Sequence, residues 1–193
     1  MNCLTKRLLL TASIGLFGLG ASASHAVMID FDDLADATIV TNQYRGVVFS
    51  AEVGNVITFS RVPYNGASEP SVISVDVTPG FGTVILDFTL PVNNLMFVVV
   101  GLNAGGDIGD VSVTHAGGFS IVDMIGIGRD EPIAMDLSAY LGVSRIAIGG
   151  ITDERGVGYD NFSFDVQAVP LPAAAWLFGS ALLGLAGLAR RKS

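Results

Sequence analysis

The sequence predicts an all-β domain, an antiparallel two-sheet sandwich of the jelly-roll kind, and three observations carry that expectation. Between residues 27 and 167 the apolar residues recur with a period of two rather than 3.6. Valine, isoleucine, phenylalanine and threonine fill the apolar runs, and these residues suit a pleated, half-buried surface. Glycine, asparagine, proline and aspartate interrupt the runs about every ten residues, the interval of short strands joined by turns.

Taken in order, the runs that read as strands are Val27–Phe31, Gly46–Ser50, Asn55–Phe59, Ser71–Val77, Gly82–Leu90, Leu95–Gly101, Ile108–His115, Phe119–Ile125, Pro132–Leu137, Ser144–Gly150 and Tyr159–Val166. Leu95 to Val100 is apolar on both parities and so reads as a central strand covered on both faces. Helical patterning is confined to Leu137–Leu141, room for one turn. The stretch from Asn103 to Asp110 is rich in glycine and aspartate but matches neither calcium-loop spacing, so it reads as a solvated hairpin loop. No repeat period and no low-complexity linker divides the domain.

The two ends of the chain read as addresses. Lys6 and Arg7 precede an apolar run from Leu8 to Gly20, and Ser24-His25-Ala26 offers small residues for cleavage, so residues 1–26 read as a secretory signal peptide. At the other end, residues 168–172 precede an uncharged run over 173–189 and a basic tail over 190–193. A helix over that run would be ~25 Å long at 1.5 Å per residue, at the short end of what spans a bilayer. Pro170 and Pro172 set its start, and Arg190, Arg191 and Lys192 would stay on the cytoplasmic side.

Residues 27–167 then form one domain, large enough for a proper core. The only cysteine, Cys3, lies outside it, so no disulfide is available there. It carries five arginines, no lysine and eighteen acids, a net charge of −13. That charge excludes nucleic acid and anionic membrane as partners of the domain surface.

Val169-Pro170-Leu171-Pro172, followed by Ala173-Ala174-Ala175-Trp176-Leu177-Phe178-Gly179-Ser180 and Gly184-Leu185-Ala186-Gly187-Leu188-Ala189-Arg190-Arg191, resembles the C-terminus of the PEP-CTERM exported bacterial proteins. The resemblance covers about 25 of the 193 residues. It departs at Leu171, where the name-giving motif has Glu, so it bears on which enzyme reads the tail. It implies export, transient anchoring in the membrane through the C-terminal helix, and recognition by an exosortase-like processing enzyme. Asp30-Phe31-Asp32-Asp33-Leu34, the stretch Asn42 to Ser50, and Gly158 to Phe164 also resemble small exported β-sandwiches and, more loosely, carbohydrate-binding jelly rolls.

The sharpest chemical signal is a pair of carboxylates. Strand alternation gives Asp33 the parity of Ile29 and Phe31, and gives Asp160 the parity of Phe162 and Phe164. First and last strands of a jelly roll are commonly neighbours, which would bring the two acids together. A calcium ion held by Asp33 and Asp160, with Asp30, Asp32 or Asn161, would offset their repulsion and desolvation. The competing reading makes both aspartates turn caps.

Motifs for nucleophilic, metal-dependent or nucleotide chemistry are missing from the domain. His115 reads as a surface residue ending a strand. Among Tyr44, Tyr64, Tyr140 and Tyr159, Tyr64 in the turn-rich Arg61–Gly66 loop is the candidate ring for stacking on a sugar. The expectation is therefore an exported, non-catalytic surface or matrix protein that interacts with extracellular polysaccharide or serves as structure. Its rival is a secreted glycan hydrolase using two of the eighteen acids.

Overall fold

The computed structural model describes residues 25–60, 67–77, 82–102, 106–126, 131–153 and 156–166. The signal peptide but for its last two residues, Tyr64, and the whole tail with Val169, Pro170, Leu171, Pro172, Arg190 and Arg191 lie outside the described residues. Ten strands form, and every pairing between them is antiparallel. They are β1 (His25–Ile29), β2 (Val47–Ala51), β3 (Val56–Ser60), β4 (Ser71–Val75), β5 (Val84–Val100), β6 (Ile108–His115), β7 (Gly118–Ile125), β8 (Ile133–Asp136), β9 (Val143–Gly149) and β10 (Gly158–Val166).

The expected runs all become strands, and two of them merge. Gly82–Leu90 and Leu95–Gly101 join in the 17-residue β5, despite Pro91 between them. The ladder register to β9 shifts between Asp87 and Val92, and Asn94 turns to a positive φ of 52°. Proline is tolerated at such an irregularity because no ladder hydrogen bond is asked of it there. The strand passes through the break and changes layer.

That passage builds the sandwich. The first half of β5 pairs with β2 and β9, and β9 leads on through β6 to β7. Its second half pairs with β8 and β10, and β10 leads to β1, to β4 and so to β3. The result is one curled antiparallel sheet folded over at β5. Val84, Leu86, Val111, Val113, Ile146 and Ile148 of one layer and Ile73, Phe97, Val99, Tyr159 and Phe162 of the other share a single core.

The alternation on the last part of β5 is cleaner than its composition suggests. Leu95, Phe97 and Val99 are buried, but Met96 is 41% exposed and Val98 half-buried, so the outer face there is only partly covered. Leu137–Leu141 is a turn closed by the Tyr140 N–H donating to the Leu137 carbonyl at 3.0 Å; no helix occurs among the described residues. The stretch after β5 is not a hairpin loop, because β6 pairs with β7 and β9 and not with β5.

One side of the sandwich is closed by a short segment before β2. Ala37 N–H donates to the Thr58 carbonyl at 2.9 Å, Thr58 N–H to Thr38 at 3.0 Å, and Val40 N–H to Val56 at 2.8 Å. The Phe49 N–H donates to the Thr41 carbonyl at 2.6 Å. Residues 37–41 thereby occupy the free edges of both β3 and β2, satisfying backbone groups that an edge would leave open.

Candidate functional site

Pairing of β1 with β10 sets Ile29 opposite Phe162, so the first and last strands are neighbours as the sequence suggests. The chain then leaves β1 at Asp30, and Phe31 takes a φ of 60°. An L-residue rarely adopts that backbone. The buried Phe31 ring holds it there, edge-on to Tyr44, Phe49 and Phe162 with centroids 5.5, 5.6 and 6.0 Å away. Strand alternation ends at this point. Asp33 therefore does not follow the parity of Ile29 and Phe31; it is exposed.

β10 has its own irregularity. Its register against β5 shifts between Asp160 and Ser163, and Asn161 has a φ of 52°. The extra residue lets Tyr159 and Phe162, three apart, both enter the core. Asp160 belongs to the opposite face, beside Val98 across the ladder, and is nonetheless completely buried. The segment from Ser68 to Ser71 covers it.

Both carboxylate oxygens of Asp160 accept hydrogen bonds. The Ser68 N–H and hydroxyl donate to Oδ2 at 2.6 and 3.0 Å, and the Asn161 N–H donates to Oδ1 at 2.7 Å. The Ser68 hydroxyl also lies 3.4 Å from the Asp30 carbonyl. Asp32 accepts from the Ser71 N–H at 3.0 Å, and Asp30 accepts from the Asp32 N–H at 3.3 Å. Burial pushes the Asp160 carboxyl up to about 6, with the Asp32 charge adding and the three donors opposing.

The structure thus brings Asp30, Asp32 and Asp160 to one end of the sandwich and turns Asp33 away. Asp33 accepts a short hydrogen bond from the Tyr44 hydroxyl, and burial together with Asp33 raises the Tyr44 pKa. Among the described residues no three histidine, cysteine or acidic side chains gather at metal-binding distance. Asp33 bonds a tyrosine hydroxyl, whereas for Asp160 the arrangement is that of the capping alternative, its carboxylate accepting from the Ser68 and Asn161 N–H groups. Asp76 and Asp136 do the same elsewhere, and their bonds to Asn55 and Ser138 hold both carboxyls below the usual range.

Of the candidate aromatics, Tyr159 is in the core, 1% exposed, and cannot meet a ligand. Its hydroxyl is the one buried side-chain polar atom left without a partner among the described residues. Tyr44 is half-buried against Phe31, and Tyr140 lies 5.0 Å from the His115 ring. His115 ends β6, with Nε2 3.1 Å from the Ser120 hydroxyl and Nδ1 accepting from the Gly117 N–H.

A different open surface emerges from the register. On the outer face of the first layer, Val48, Asp87, Arg145, Thr114 and Phe119 stand opposite one another in sequence across β2, β5, β9, β6 and β7. Four strand spacings of ~4.8 Å make this row ~19 Å long. Arg145 Nη1 meets Asp87 Oδ1 at 3.3 Å, and both side chains are about half exposed, at 48% and 47%. Phe119 at the end of the row is 64% exposed. Ser50, Ile85, Ala147, Ser112 and Ile121 form the neighbouring row. Sequence reasoning missed both rows, because their members are separated by tens of residues and only the register aligns them.

No family model matches this chain, and no curated protein is similar to it. Among solved structures, a variant of the family 29 carbohydrate-binding module CBM29-2 overlays with a TM-score of 0.41 at 15% identity, covering 74% of this chain and 86% of that one. A second variant of the same module, complexed with mannohexaose, gives 0.40 at 14% identity over 74% and 92%. A further structure described as a carbohydrate-binding module of family 29 gives 0.40 at 14% identity over 73% and 89%. These overlays assign no residue of this chain a role.

Proposed function

We propose that this chain is an exported, non-catalytic module whose sandwich binds polysaccharide across the Val48–Phe119 row. The observation that carries the reading is the composition of that row. A half-exposed Arg–Asp pair and an exposed threonine lie in line with one exposed aromatic ring across the outer face of the sheet. Sugars present hydroxyls in their ring plane and C–H groups on their faces, so a hydrogen-bonding strip beside an aromatic platform suits them. The net charge of −13 favours a neutral or cationic polymer over an acidic one.

The hydrolase alternative fares worse on the same ground. Among the described residues the one carboxyl raised towards neutrality, Asp160, is completely buried and bonded to Ser68, away from any substrate. A glycosidase needs its acid and its partner carboxylate in contact with the scissile bond.

Retention of the full chain on a panel of immobilised neutral, cationic and acidic polysaccharides tests the binding. Arg145→Ala and Phe119→Ala should each weaken retention about 5- to 20-fold, the scale of losing one charge-assisted hydrogen bond or one stacking contact. A wild-type chain retained by none of them ends the polysaccharide reading. The address at the C-terminus is proposed on the tail sequence alone: an exosortase-like enzyme would remove residues after the Val169–Pro172 motif. Mass spectrometry that finds the peptide 173–190 at full abundance in protein from the native host would reject processing.

A further inference from the structure

We propose that β7 is the interface through which two copies of this chain pair, edge to edge, into one continuous sheet. The inference is independent of the polysaccharide reading and rests on how the other edges are treated. The edges of β2 and β3 are occupied by residues 37–41. β8 is only four residues long and β1 five. Among the described residues β7 pairs with β6 alone, over eight consecutive residues with no register shift. It has no proline and one charge, Asp123. An unbroken, unprotected edge of that length is a template for another strand, and proteins ordinarily blunt such edges with charge, proline or a bulge.

Apart from Asp123, the outward side chains of β7 are apolar. Phe119, Ile121 and Ile125 are 64%, 60% and 62% exposed, and Ile108 across the ladder from Ile125 is 51% exposed. Three large apolar groups in a row on a domain of charge −13 stand out against the rest of its surface.

The sequence of β7 also selects the partner and the register. A two-fold axis normal to the sheet keeps outward residues facing outward, so the axis must pass through a residue rather than between two. Centred on Val122, Phe119 lies opposite Ile125 of the copy, and Ile121 opposite Asp123. Centred on Asp123, the two carboxylates oppose each other, which is destabilising. Centred on Ile121, Asp123 faces Phe119 and Ile125 has no partner. Of these three registers, that centred on Val122 alone sets Phe119 against Ile125 while keeping the like charges apart, with Ile121 opposite Asp123. The rest of the two acidic domains repels, which restricts contact to this one edge and makes pairing stronger as salt rises.

Thiol cross-linking of the full chain in detergent tests the register. In a Cys3→Ser background, Phe119→Cys with Ile125→Cys should give a covalent dimer with a short bis-maleimide at moderate salt, and several-fold less at low salt. Phe119→Cys alone should not, because its two copies stand about six residues, ~20 Å, apart along the paired strands. Val48→Cys, on the opposite edge, should not either. Adding Ile121→Asp to the double variant, which sets a carboxylate opposite Asp123 of the copy, should remove the dimer while the melting temperature stays within a few degrees. Arg145→Ala should leave it unchanged, even if polysaccharide retention is lost. Equal dimer in all variants would mean association through the hydrophobic tail and would overturn the proposal. So would no dimer in the double variant, or cross-links only to another protein.

Discussion

At the scale of single residues, Asp160 sets an unusual pH dependence. Its folded-state pKa is raised to about 6 from an ordinary 3.8, so the folded chain binds this proton more tightly than the unfolded chain does. Stability from this group therefore rises as pH falls through about 6 and levels off near the unfolded value. Asp76 and Asp136 work in the opposite sense, but their lowered values place their effect below that window. Thermal melts should give a higher Tm at pH 5 than at pH 7. In Asp160→Asn the difference should shrink, although the variant starts lower because an amide cannot accept all three donors. A Tm that falls between pH 7 and 5, equally in both proteins, would show that Asp160 is ionised at no cost. Calcium offers a second check at this scale. If Asp160, Asp32 and Asp33 serve to bond Ser68, Asn161, Ser71 and Tyr44 and hold no ion, the acidic end should respond to calcium and magnesium alike, by screening only. A melt raised several degrees by calcium beyond magnesium, and lost in Asp32→Ala, would reinstate a specific ion.

Among the elements, the aromatic contacts carry much of the join between layers. Phe162 stacks on Phe97 at 5.0 Å and meets Phe31 and Phe49 edge-on, so one ring ties β10 to β5, to β2 and to the segment after β1. Phe162→Ala should cost about 3–5 kcal/mol in chemical denaturation, the range for a large aromatic lost from a core. A cost under 1 kcal/mol would mean the site collapses freely. Strands of this kind were legible in the sequence wherever one face alone is buried, as in β2 with Val47 and Phe49 inward and Val48 outward. What escaped was parity across irregular backbone. Phe31 and Asn161 both adopt positive φ, each reverses the alternation, and neither is a glycine that would announce it. Asp33 was therefore assigned to the wrong face. Ser68 escaped for a different reason: it lies 92 residues from its partner Asp160, in a stretch with no pattern of its own. Likewise Gly82–Leu90 and Leu95–Gly101 read as two strands, while the sheet carries both, with Pro91 between them, in one.

For the molecule as a whole, charge is the governing quantity. A domain at −13 should hold neutral polymers with little salt dependence and acidic ones only at high ionic strength. Binding to an acidic polysaccharide that strengthens on lowering salt, measured by retention at 50 and 300 mM, would contradict the proposed row as the contact, since its one cation is already paired with Asp87.

The arrangement of β1, β10 and β5 also decides how the sandwich would bear a load. His25 stands opposite Val166, so both ends of the described domain leave at the same pole, and pulling those two ends apart would peel β1 from β10 one bond at a time. Tension between an anchor beyond Val166 and a polymer held on the far layer is different. It draws β10 along its own axis, flanked by β1 on one side and β5 on the other, and the ladder bonds must yield together. In a single-molecule pulling experiment, handles at residues 119 and 166 should require a higher rupture force than handles at 25 and 166. If the chain is anchored through its tail and holds a polymer as proposed, the domain would be mechanically strong in the direction in which it is pulled.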